Sequence, residues 1–258
     1  MSLLITSSVL VGLLIGSFLN VCIYRMPRKK SIVWPPSHCP ACGASIHPFD
    51  NIPVVSYLWL KGRCRVCRDR IPLKYPVVEA LNGLGYGVIV WYFGLEWQAV
   101  VYAALFSALL VAGLIDLEHQ IIPDAITLPG IALGLICAAT VLPLALTDAV
   151  LGLLLGGGLL WALAAASPYL FGKEGMGGGD IKLLAMIGAF LGWKSTVLTI
   201  MIGALAGAVV GIALILLKIM RRDQYLPFGP FLVLGALISM FFQQELFAWY
   251  AGFLNASQ

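Results

Sequence analysis

The chain has 258 residues, of which 60% are hydrophobic and 11% charged, against about 45–50% and about 25% in soluble domains. So few charges cannot cover a soluble globule of this length; disorder requires the opposite composition, and a small disulfide scaffold is excluded by length. The remaining class is an all-α polytopic membrane protein, and the net charge of +4 is too small to mark a nucleic-acid partner by itself.

Apolar runs long enough to span a bilayer need about 20 residues. In chain order they fall at 3–24, 76–95, 98–116, 125–146, 148–171, 181–193, 195–218 and 227–252. The sixth is short. The expectation is about eight transmembrane helices in three parts: a first transmembrane helix at 1–24, a loop domain at 25–75, and a seven-helix transmembrane core at 76–258. The first run lacks the basic segment that precedes a cleaved signal, so it reads as a permanent span.

The loop at 25–75 holds Arg25, Arg28, Lys29, Lys30, Lys61, Arg63, Arg65, Arg68, Arg70 and Lys74. Loops rich in Lys and Arg stay in the cytoplasm. With eight spans, the same side then receives Lys173, Lys182, Lys218, Arg221 and Arg222, and Lys194 alone falls opposite. Both termini are therefore expected outside. Glycines recur at four-residue spacing in the fifth span (Gly152, Gly156) and the seventh (Gly203, Gly207, Gly211), a pattern that lets helices approach closely.

Two CxxC pairs, Cys39 with Cys42 and Cys64 with Cys67, have the form of two knuckles around one tetrahedral zinc ion. Their spacer, 43–63, is slightly longer than the usual window of about 15–20 residues. Disulfides are the rival, disfavoured in a reducing compartment. Four thiolates leave no open position, so the zinc is structural, stapling a loop with little apolar content. His38 and His47 read as solvated neighbours, and Cys22 and Cys137 as buried thiols.

Acids at span boundaries carry the chemistry. Asp116 ends the third span in GLIDLEHQIIPD, and Asp180 opens the sixth in GMGGGDIKLLA. The predicted topology brings both to cytoplasmic helix ends. Two adjacent carboxylates share one proton; the ionised one activates water and the protonated one donates to the scissile carbonyl. Gly175, Gly177, Gly178 and Gly179 precede Asp180 and permit close backbone approach to an extended peptide. Asp180 also fits a helix N-cap, and Asp116 a boundary acid reaching toward the headgroups. Asp124 reads as a cap of the fourth span, Glu118 and His119 as turn residues, Asp50 as a loop turn, and Glu79 as interfacial or buried with a partner.

At these residues the chain resembles the type IV prepilin peptidases, the leader peptidase/N-methyltransferase enzymes with a G-x-G-D aspartate motif. The similarity extends over GSFLNVCIYRMP (16–27), the cysteine segment 39–79, LIDLEHQIIPD (114–124) and GMGGGDIKLL (175–184). The resemblance implies a catalytic pair at Asp116 and Asp180, motif glycines at Gly177 and Gly179, and zinc ligands at Cys39, Cys42, Cys64 and Cys67. It implies an enzyme of the bacterial inner membrane, in contact with lipid, that removes the leader of prepilins or pseudopilins at the cytoplasmic face. It further implies methylation of the new N-terminal amine with S-adenosylmethionine as donor. No Rossmann-type glycine fingerprint marks a site for that donor, and no sequence feature assigns the oligomeric state. The other readings are a peptidase without methyltransferase activity and an ion-coupled transporter.

Overall fold

The computed structural model describes residues 1–171, 177–221 and 224–256; Lys173, Gly175 and Arg222 lie outside them. Eight α-helices are present among the described residues: α1 (Ser2–Arg25), α2 (Val55–Trp59), α3 (Lys74–Phe93), α4 (Trp97–His119), α5 (Asp124–Thr140), α6 (Leu146–Phe171), α7 (Gly178–Leu216) and α8 (Gly229–Ala256). A 3-10 turn covers Pro48–Asn51, and the β structure consists of two isolated bridges.

Five of these helices, α1, α4, α6, α7 and α8, have the length and apolarity to cross a membrane, and α5 is a shorter apolar helix. The described residues are thus helical apart from turns and isolated bridges, with five helices of spanning length and composition set against the eight expected spans. The predicted sixth and seventh spans correspond to the two helical halves of α7, which meet at a kink at Gly192, beside the predicted boundary. Gly192 has φ 77° and ψ 175°, a left-handed conformation costly for any side chain. The helix resumes at once, which is why the polar Trp193-Lys194-Ser195 stretch makes a kink rather than a loop.

The chain divides into two compact units, Met1–Val111 and Ala112–Gln258, the division falling within α4. In the first, α1 and α3 pack closely. A Cβ on Gly12 would lie 2.8 Å from the Asn82 carbonyl oxygen, and one on Gly16 2.8 Å from the Glu79 Cα. The buried Asn82 amide donates to the Gly12 carbonyl (2.8 Å) and accepts from the Ser107 hydroxyl (2.8 Å). That hydroxyl also meets the Tyr86 phenol at 3.0 Å. Buried polar groups require such partners, and these tie α1, α3 and the first half of α4 together.

The second unit is built around α7, whose Leu183–Leu191 stretch is buried among α5, α6 and α8. The glycine spacing seen in the sequence produces contacts inside the chain. A Cβ on Gly152 of α6 would meet the Gly188 carbonyl oxygen at 2.5 Å, and one on Gly156 the Leu184 oxygen at 2.7 Å. On the other side, Gly203 faces the Phe231 carbonyl and Gly207 the Phe231 ring. Hydrogen bonds Ser195–Gln243 and Thr199–Ser239 join α7 to α8.

Candidate active site and metal centre

The loop between α1 and α3 folds as two copies of one turn. In each, the first cysteine's N–H donates to the carbonyl five residues on: Cys39 to Ala44 (2.9 Å) and Cys64 to Asp69 (2.8 Å). In each, the residue four on donates back: Gly43 to Cys39 (2.9 Å) and Arg68 to Cys64 (3.1 Å). Bridges His38–Ser45 and Arg63–Arg70 close the two turns. The returning residue has positive φ both times, 72° at Gly43 and 63° at Arg68.

These turns bring the sulfurs of Cys39, Cys42, Cys64 and Cys67 within 4.8 Å of one another. All four are free thiols, so the disulfide alternative is not realised. Cys39 and Cys67 sulfurs lie 3.8 Å apart. Tetrahedral zinc with bonds of about 2.3 Å requires sulfur separations of about 3.8 Å. The thiols are also mismatched without a cation. Backbone N–H groups of Cys67 and Val66 bring Cys64 down to about 7. The Asp69 N–H favours the Cys67 thiolate, but desolvation and hydrogen bonding with Cys42, Cys64 and Cys39 push it up to about 12. A dication would let all four ionise, so the cluster fits structural zinc.

Asp50 braces this region. Arg65 donates to it through Nε (2.7 Å) and Nη2 (2.5 Å), which holds the Asp50 carboxyl below its ordinary range. His38 and His47 are exposed, and His47 stacks on Phe49. Purified protein is expected to carry one zinc per chain by elemental analysis. Cys64→Ser or strong chelation should remove it and open residues 37–72 to limited proteolysis, since such small domains fold only with their metal.

The two aspartates belong to the second unit. Asp116 lies one turn before the end of α4 and is buried; α4 runs on through Glu118 and His119, which the sequence reading placed in a turn. Asp116 Oδ2 accepts from the backbone N–H of Gly229, the first residue of α8, at 2.9 Å. Asp180 is the third residue of α7 and buried. It is not the cap, a position held by Gly177 without a side-chain hydrogen bond. Among the described residues, Asp180 Oδ1 has no hydrogen-bond partner. The fold brings the pair near enough for the two charges to act on each other.

The motif glycines differ. A Cβ on Gly179 would lie 3.0 Å from the Ile122 Cβ, so its bareness lets the start of α7 close on the α4–α5 turn. Gly177 has extended backbone (φ −74°) and room for a Cβ; neither strain nor crowding demands glycine there. Asp124 opens α5 without capping it and instead takes the Lys182 ammonium of α7 at 2.7 Å. The reading of the sequence missed Gly229. Its signal was the Phe228-Gly229-Pro230 stretch at the start of the last predicted span, which holds no titratable group.

Comparison with known proteins follows the same division. Residues 10–93 match the bacterial peptidase A24 N-terminal domain, and 103–212 match the type IV leader peptidase family. The prepilin leader peptidase/N-methyltransferase of Pseudomonas aeruginosa is 38% identical over 269 residues, covering 95% of this chain and 93% of that one. The chain belongs to the type IV leader peptidase family. The protein of the same description from Pseudomonas putida is 38% identical, covering 95% of this chain and 92% of its own. That of Aeromonas salmonicida is 36% identical over 93% of this chain and 91% of its own. No solved structure matches. The leader peptidase match spans α4 to α7 and so includes both aspartates, while the N-terminal match includes all four cysteines.

Proposed function

We propose that this leader peptidase family member is a membrane aspartic endopeptidase that cleaves the leader from type IV prepilins or pseudopilins and then methylates the exposed N-terminal amine. The observation that carries the peptidase reading is the burial of Asp116 and Asp180 at helix ends of one compact unit, with their charges in mutual reach. The pair holds one proton between them and titrates jointly. One carboxylate draws a proton from water as it attacks the scissile carbonyl, and the other donates to the amide as the C–N bond breaks. The Gly229 N–H fixes the Asp116 carboxyl, and the free Oδ1 of Asp180 offers a lone pair to water or substrate. An ion path would place its acids nearer mid-span, which disfavours the transporter reading.

The methyltransferase half rests on the names of the relatives and on the retained N-terminal unit. S-Adenosylmethionine, when bound, supplies an electrophilic methyl group for the amine. Zinc in the four-cysteine cluster has a structural role, holding the 25–75 loop, which the basic residues assign to the cytoplasm. With the expected eight spans both termini face the periplasm, and the second unit, Ala112–Gln258, carries the aspartate pair of an inner-membrane enzyme. A synthetic prepilin incubated in detergent with the protein and the donor is expected to lose its leader and gain one methyl, read by intact mass. Leader loss without methyl gain would leave a peptidase alone, and an unchanged mass would defeat the proposal.

A further inference from the structure

A cavity of about 290 Å³ lies in the first unit, between the end of α1, the cysteine turns, α2 and the start of α3. It stands at the lower edge of the about 300–1,000 Å³ usual for small-molecule sites. Glu79 lines it and is 9% exposed. Among the described residues its partners are neutral: the Val54 N–H at 2.8 Å and the Ser17 hydroxyl. Asp50, another acid of the wall, is matched by Arg65. Arg25, a buried residue of the wall, donates to the carbonyls of Ser31 (2.9 Å) and Pro35 (2.7 Å).

Two features mark the Glu79 end as a built site. Val54 sits at φ 61°, a conformation strained for a β-branched residue; strain of this kind gathers at functional sites, and here its N–H meets the Glu79 carboxylate. Tyr24, Tyr57 and Tyr75 also line the cavity. Arg28 and Lys74 already lie over the rings of Tyr24 and Tyr75, so the buried Glu79 carboxylate, with neutral partners only among the described residues, is the feature that selects a cationic ligand.

We infer that this cavity binds the methyl donor S-adenosylmethionine, with the Glu79 carboxylate facing its sulfonium. The inference rests on the methyltransferase reading above and adds the site that no sequence motif marked. In the transfer, the amine lone pair takes the methyl carbon, the carbon–sulfur bonding pair goes to sulfur, and the nitrogen loses a proton. The donor's positive charge is thereby lost. A carboxylate at this point favours the charged donor over the neutral thioether product and so favours exchange of spent for fresh donor.

The test uses full-length protein in detergent and equilibrium binding measured by calorimetry. Wild type is expected to bind S-adenosylmethionine more tightly than S-adenosylhomocysteine. Glu79→Gln should weaken the donor about tenfold and the product less than about twofold, collapsing the preference, with zinc content and thermal unfolding as wild type. Equal weakening of both ligands, or of neither, overturns the assignment of Glu79. A second measurement needs no variant: light-induced crosslinking of methyl-labelled donor to wild type, mapped by mass spectrometry. Label on residues 17–25, 52–60 or 72–79 supports the site; label confined to 112–258 overturns it. Wild type that cleaves leader yet neither binds donor nor methylates would sink the methyltransferase reading itself, and the inference with it.

Discussion

Asp116→Asn and Asp180→Asn should each lower kcat/KM for leader cleavage by about 10³-fold or more, because members of a proton-sharing pair act as one unit. For the same reason the double variant should be scarcely worse than either single one. Asparagine keeps the shape of aspartate, and at 116 its carbonyl oxygen can still accept from the Gly229 N–H. Folding is therefore expected to survive, checked by elution volume and thermal midpoint. Both variants should still methylate a pilin supplied without its leader, since the cavity proposed for the donor is lined by residues of the first unit. Cleavage by either variant within tenfold of wild type would remove the dyad from the mechanism, and loss of both activities together would point to misfolding instead.

The site was legible in the sequence where chemistry demanded particular residue types. Cysteine pairs in a basic loop left few alternatives, and the structure gathers all four sulfurs. Acids beside long apolar runs stand out because lipid penalises charge, so Asp116 and Asp180 could be singled out though they stand 64 residues apart. Helix existence was legible for the same reason. Span count was not. Nothing local in Gly192-Trp193-Lys194 distinguishes a kink from a loop; the outcome depends on α6, where a Cβ on Gly152 would lie 2.7 Å from the Gly192 carbonyl carbon.

Backbone donors and cavity walls were the least legible. Glu79 was noted as buried or interfacial, but its partner, the Val54 N–H, lies 25 residues away in a turn with no regular period. The three tyrosines of the cavity come from α1, α2 and α3 and carry no spacing that a linear reading detects. Arg68 is instructive in the same way. Its left-handed backbone becomes intelligible only beside Gly43, the equivalent residue of the first turn, and the two turns differ in sequence at that position.

Gly229→Ala should reduce leader cleavage by about 100-fold while the protein remains folded. A Cβ there would sit 2.6 Å from Asp116 Oδ2 and 3.0 Å from its Cγ, well inside van der Waals contact. One of the two must move. The backbone of Gly229 is continuous with Pro230 and the buried part of α8, in which Leu232 and Ala236 are fully enclosed, so the carboxyl of Asp116 is the softer partner. Its displacement breaks the 2.9 Å hydrogen bond from the Gly229 N–H and turns one member of the pair away from the other. Misplacement of a catalytic group by about 1 Å costs about 100-fold, whereas Asp116→Asn removes the group's chemistry altogether. The two variants are thus separable. Gly229→Ala should show a residual rate that falls further to Gly229→Val, with the pH profile of the residual activity displaced because the Asp116 carboxyl has lost its donor. If Gly229→Ala cleaves prepilin at the wild-type rate with an unchanged profile, the contact between α8 and Asp116 has no part in positioning the pair.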